Sequence, residues 1–155
     1  MQKNKIFYTD GACSVNEGAG GWCYVEVLQC DKGLKTNVVT GNKESTTNNE
    51  MELMAVYMAL VKSLKEKAEK VTIYSDSAYV VNAIKKGWLL NWNNNGWKTK
   101  AGGNVKNKKI WEKMYKLLYV KKLNVNMVHV KGHNGDLFNE LADKNAVMAK
   151  ERIEK

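Results

Sequence analysis

Apolar and polar positions change period several times along this chain of 155 residues. Ile6-Phe7-Tyr8-Thr9 followed by Asp10-Gly11 reads as a short strand ending in a turn, and the alternating Trp22-Cys23-Tyr24-Val25-Glu26-Val27 as a second strand. Thr36 to Thr40 forms a third, with Asp31-Lys32-Gly33 as the hairpin signal before it. In Thr47-Asn48-Asn49-Glu50 a threonine stands three residues ahead of a glutamate, and Met51, Met54, Ala55 and Met58 follow at helical spacing. That is a capping box opening a helix, expected from Asn48 to Lys65 with Glu50 as the box partner. Val71-Thr72-Ile73-Tyr74-Ser75 is a buried-type strand that breaks at Asp76-Ser77 into a helix from Ala78 to Ile84, the order of a parallel βα unit.

Beyond it, residues 85–105 hold Trp88, Trp92 and Trp97 among asparagines, glycines and lysines. A helix from Val105 to Val120, a strand over Val125–Val130 and a last helix from Asn139 to Lys150 complete the pattern. No internal repeat or linker interrupts it, so a single domain over residues 1–155 is expected, large enough to bury roughly two thirds of its unfolded surface. The chain contains no proline, so its turns must rest on Gly, Asn and Asp. Three cysteines without a C-x-x-C pair indicate neither a disulfide framework nor a zinc knuckle. No apolar signal region and no stretch of membrane-span length is present. A cytoplasmic protein with no membrane association is the expectation.

Charge adds a partner to this picture. Lys and Arg number 25 against 16 Asp and Glu, a net +9, which suggests a polyanion. Its distribution says more than its size. From Ser77 to Trp111 there is no acidic residue, while Lys85, Lys86, Lys98, Lys100, Lys106, Lys108 and Lys109 fall inside. Such a one-sign segment is a candidate binding surface.

Asp10 closes one apolar strand and Asp76 another, so if the strands are parallel neighbours both carboxylates meet at one sheet edge, where open α/β sheets bind ligands. Glu52 lies about one turn inside its helix and Asp143 lies early in the last one. Taken singly, each is equally an exposed residue near the positive end of a helix dipole. Four converging carboxylates, however, repel one another unless protons or cations neutralise them. Hard divalent ions with oxygen ligands fit, Mg²⁺ or Mn²⁺, and zinc is disfavoured because only two histidines are present.

Thr9-Asp10-Gly11-Ala12, residues 16–21, Thr46-Thr47-Asn48-Asn49-Glu50-Met51-Glu52, Tyr74-Ser75-Asp76-Ser77 and Val130-Lys131-Gly132-His133 occur in this order. From Lys5 to Lys150 the chain resembles type 1 ribonuclease H. The resemblance implies an α/β fold whose five-stranded mixed sheet has three antiparallel and two parallel strands, flanked by helices. It implies Asp10, Glu52, Asp76 and Asp143 as ligands of two Mg²⁺ ions bound with substrate, Mn²⁺ substituting, and a catalytic His133 on a loop beside them. The implied activity is endonucleolytic hydrolysis of the RNA strand of an RNA/DNA hybrid, leaving 5′-phosphate and 3′-hydroxyl ends. His129, alternating within a strand, is expected to be structural.

By the same resemblance Asn16, Asn48 and Asn49 match positions that touch the hybrid's minor groove, and Thr47 and Asn91 a pocket for a DNA-strand phosphate. Thr47 equally serves as the helix cap. Residues 85–105 resemble a basic protrusion in which Trp92, Lys98 and Lys100 contact substrate, although at least one of Trp88 and Trp92 is expected to pack the protrusion onto the body. Three departures stand out. Asn93-Asn94-Asn95 replaces basic residues, Ala78 replaces a polar groove contact, and Glu17 and Ala19 replace prolines. Integrases and junction resolvases share the fold, but the Asn-rich helix start and the Lys-Gly-His loop favour ribonuclease H. A non-catalytic hybrid-binding module is disfavoured by the presence of all four carboxylates. A free-standing monomer without an obligate protein partner is expected over a domain of a reverse transcriptase.

Overall fold

The computed structural model describes residues 3–15, 17–131 and 136–154. Asn16 and His133 lie outside them. A five-stranded sheet in the order β3-β2-β1-β4-β5 carries the molecule. Its strands are β1 (Asn4–Cys13), β2 (Gly20–Cys30), β3 (Gly33–Lys43), β4 (Lys70–Ser75) and β5 (Val125–His129). β1, β2 and β3 pair antiparallel, and β4 and β5 run parallel to β1, as expected.

One face of the sheet packs on α1 (Asn48–Lys65), whose Met51, Leu53, Ala55, Val56 and Leu60 are buried with Phe7, Tyr24 and Ile73. The other face takes α5 (Leu137–Glu154), where Ala142 and Ala146 pack on Cys23 and Val25 beside Tyr8 and Ala12. β2 is buried continuously from Gly20 to Val27 because helices cover both its faces. Beneath the end of α1 the buried Lys5 Nζ lies 2.6 Å from carboxylate oxygens of both Glu26 and Glu66. Removing one partner of such a pair leaves an uncompensated buried charge, a loss of roughly 3–5 kcal/mol.

The first helix matches its expected bounds, with Thr47 Oγ1 accepting from Glu50 N at 3.1 Å. Only half of the capping box forms, since the Glu50 carboxylate bonds to Thr46 Oγ1 and Lys43 Nζ instead of reaching back to the cap. Strand β1 does not end at Asp10-Gly11. It runs on to Cys13 because β2 supplies a partner for every residue through the register Cys13↔Gly20. The helix expected from Val105 begins at Lys108, since Asn107 has φ +60 and cannot continue a right-handed helix upstream. This α4 (Lys108–Tyr115) passes into a single π turn, Lys116–Val120, closed by Lys121 N to Lys116 O at 2.8 Å.

Between α2 (Ala78–Lys85) and α4 stands a helix that the asparagine-rich composition does not announce, α3 (Trp88–Asn94). Tertiary burial overrides its low propensity, with Leu89 fully buried and Trp92 against Trp111 at 5.6 Å between ring centroids. α3 and α4 both have their buried residues in the main core cluster.

Candidate active site

Asp10 sits inside β1, opposite Cys23 of β2. On its other side β4 ends at Ser75, the parallel partner of Thr9, so Asp76 leaves the sheet beside Asp10. The turn carrying Asp76 is held from both sides. Ser75 Oγ accepts from Ser77 N at 3.1 Å, and Ser77 Oγ caps α2 by accepting from Val80 N at 3.2 Å. His129, expected to be merely structural, is exposed at the end of β5 with Nε2 3.3 Å from the Asp76 carbonyl oxygen.

Glu52 arrives from α1 through a close approach of backbones. A Cβ at Gly11 would overlap Glu52 N and Met51 C, so only glycine admits the first turn of α1 at this point. Gly21 does the same for α5, where a Cβ would overlap Ala146 O. Seated there, α5 brings the Asp143 carboxyl within hydrogen-bonding reach of Asp10.

Oxygens of Asp10, Glu52 and Asp76 lie within 4.8 Å of one another. Asp143 stands outside that tight group and acts on it by helping to raise the Asp10 carboxyl. Burial, then the neighbouring Asp76 carboxylate, pushes the Asp10 carboxyl up to about 8. Glu52 is also held well above the usual carboxylate range, by burial first and by Asp10 and Asp76 after it. Glu52 Oε1 and Asp76 Oδ1 are buried without a hydrogen-bond partner among the described residues. Such atoms need an explanation, and oxygen-only donors with excess negative charge match a hard divalent cation. The residues present therefore fit the metal that the sequence implies. The same crowding keeps the Cys23 thiol neutral, because burial and the Asp10 carboxylate opposite it push it up to about 12.

Around this centre the remaining candidates are spread. Asn48 and Asn49 are exposed on the first turn of α1, and Thr47 caps it. Asn91 and Trp92 of α3, with Lys98 and Lys100, line an open cavity of about 690 Å³ together with Trp88 and Asn95. Trp92 is half-buried against Trp97 and Trp111, so one tryptophan does pack the protrusion onto the body, while Trp88 is 37 % exposed. Lys98 Nζ is tied to Asn104 Oδ1 at 2.5 Å across the bridge that closes the protrusion. All seven lysines of the acid-free segment are exposed. Asn139, which the sequence reading passed over, is buried one helical turn before Asp143. Its spacing of four from Asp143 was the signal available.

A mixed sheet that gathers buried carboxylates beside an exposed cationic segment defines a nuclease of the acidic-centre type. Residues 2–151 match the RNase H family model. The chain belongs to the RNase H family. A ribonuclease H of Caldicellulosiruptor saccharolyticus is 46 % identical over 142 residues, 92 % of each chain. The solved structure of LC9-RNase H1, a type 1 RNase H with the type 2 active-site motif, superposes with a TM-score of 0.82 at 26 % identity, over 98 % of this chain and 74 % of that one. A foamy viral protease-reverse transcriptase in complex with RNA/DNA hybrid has the same fold, with a TM-score of 0.80 at 24 % identity over 94 % of this chain and 20 % of that one.

Proposed function

We propose that this protein is an endonuclease that hydrolyses the RNA strand of RNA/DNA hybrids with the help of two divalent ions, Mg²⁺ with Mn²⁺ as a substitute. The observation that carries the reading is the close group Asp10, Glu52 and Asp76, with two buried carboxylate oxygens unpartnered among the described residues. Asp10, Glu52, Asp76 and Asp143 are the proposed ligands. Cations held there supply the positive charge that activates a water and stabilises the leaving oxygen of a phosphodiester.

The chain's own residues do the rest. Exposed lysines of the protrusion hold phosphates without reading sequence. Asn16, Asn48 and Asn49 offer amide groups that address 2′-hydroxyls and base edges in a minor groove. Thr47 and Asn91 are the proposed contacts to a phosphate of the DNA strand. His133 is assigned a proton or water transfer beside the acidic centre. Because the hydroxyls serve in recognition and water is the nucleophile, the products carry 5′-phosphate and 3′-hydroxyl ends. Catalysis by one domain, acting as a monomer in the cytoplasm, completes the proposal.

The test is incubation of an end-labelled RNA/DNA hybrid and the matching DNA duplex, each with Mg²⁺ and with chelator. Cutting of the hybrid's RNA strand alone, and only with Mg²⁺, is expected. Equal cutting of duplex DNA, or cutting in chelator, would overturn the assignment.

A further inference from the structure

Three buried oxygens lack a hydrogen-bond partner among the described residues, and only two belong to the acidic triad. The third is Asn139 Oδ1, on a side chain that is 3 % exposed. An amide oxygen left unsatisfied in the interior costs about 1–3 kcal/mol, so its retention calls for a partner beyond the described residues.

Its surroundings say what that partner is. Phe138, the preceding residue, packs on Tyr8 of β1 at 5.4 Å between ring centroids, and Asp143, one turn later, reaches Asp10. Tyr8 and Asp10 are two apart on β1 and point to the same face. Tyr8 stacks on its register partner Tyr74 at 4.6 Å, and Asp76 follows just beyond the end of β4. Asn139 thus lies buried on the stretch of α5 whose Phe138 packs on β1 two residues before Asp10. Once a cation holds the neighbouring carboxyls ionised, they accept hydrogen bonds and have none to give. A hydrated cation brings O–H donors into such a space.

We propose that Asn139 is a positioning residue of the acidic centre, its Oδ1 accepting from water that a divalent cation brings between α5 and strands β1 and β4. The inference rests on the metal-dependent reading above and adds a neutral oxygen to its four carboxylates. Residues outside the first set of ligands tune metal affinity by roughly 10 to 100-fold.

The experiment is a Mg²⁺ titration of the free protein at fixed ionic strength, read by melting temperature and by calorimetry, for wild type, Asn139→Leu, Asn139→Ala and Asn139→Asp. Asn139→Leu deletes the orphan acceptor while roughly keeping volume, so the metal-free protein should melt no lower than wild type, and the Mg²⁺ midpoint should rise about tenfold. Asn139→Ala should show the same midpoint shift if the leucine variant misfolds. Asn139→Asp keeps an acceptor oxygen and should return the midpoint to wild type or below. A wild-type midpoint in the folded apolar variants, or an aspartate variant as weak as they are, would overturn the inference and leave the function standing. Wild type that is neither stabilised by Mg²⁺ nor able to cut hybrid would overturn both.

Discussion

Replacing Asp10 by asparagine should stabilise the metal-free protein while disabling it. The native carboxyl is buried, 4 % exposed, and its affinity for a proton is raised from 3.8 to about 8 by burial and by Asp76. A carboxyl whose folded value lies above its unfolded one contributes its full share of stability below the unfolded value, and loses it as pH rises through the folded value. The wild-type protein without metal should therefore weaken between about pH 4 and pH 8. At pH 7 the difference between 3.8 and 8 corresponds to a ceiling of about 4 kcal/mol for this one group. The proton is shared with Glu52, which is itself raised, so a single substitution recovers only part, about 2 kcal/mol. The new amide can also donate to the carboxylates left beside it.

Thermal melting in chelator at pH 5, 6, 7 and 8 measures this. A gain of roughly 4–8 °C is expected near pH 7, growing with pH and small at pH 5. Adding Mg²⁺ should raise the wild type and leave Asp10→Asn nearly unmoved, narrowing or reversing the difference. A gain of equal size at every pH would mean that repulsion at the acidic centre is not its source. A loss of stability would refute the account of Asp10 altogether.

Asp76→Asn should lower hybrid cleavage by several orders of magnitude at saturating substrate while hybrid binding persists through the lysines, and near-normal turnover would remove Asp76 from the centre. Joint replacement of Lys98 and Lys100 by alanine should weaken hybrids of every sequence about equally and reduce the salt slope of binding by roughly one unit per lost phosphate contact. Losses confined to particular sequences would contradict a role in phosphate binding. A DNA strand with one embedded ribonucleotide should be a poorer substrate than one with four in a row, because most hydroxyl contacts would be missing. Equal cutting of the two, or 2′,3′-cyclic phosphate ends in the products, would refute water attack guided by 2′-hydroxyl recognition.

The parts of this architecture that were legible in the sequence are those specified by neighbours in the chain. Thr47 and Ser77 cap the helices that follow them, and both boundaries fall where those side chains place them. Interactions between distant segments were less visible. β1 reads as stopping at Asp10-Gly11 because Asp and Gly are turn residues, but β2 supplies partners across Gly11↔Trp22 and beyond. α3 is nearly silent in composition and exists because Leu89 and Trp92 find a core made by residues far along the chain. The triad was legible as residue types at strand and helix ends. Asn139 was not, because a spacing of four from Asp143 marks a shared helix face but not a buried oxygen that lacks a partner among the described residues.

The misread end of β1 bears on how the centre works. A carboxylate at a strand's end would rest on a turn, whereas Asp10 lies inside a strand paired on one side with β2 and bordered by β4 on the other, with Gly11 N donating to its Oδ1 at 2.9 Å. Asp76 is fixed by two serine hydrogen bonds, Glu52 by the contact of α1 with Gly11, and Asp143 by the seat of α5 on Gly21. Asp10, Glu52 and Asp143 are thus placed by the packing of regular elements, and Asp76 by a short turn that two serine hydrogen bonds hold. Rigid placement keeps the repelling charges together when no cation is present, and it spares the protein the reorganisation that a mobile site would need when ions and substrate arrive. On the proposed function Gly11 and Gly21 matter through the acids they seat, since a side chain at either would move a helix and its acid together.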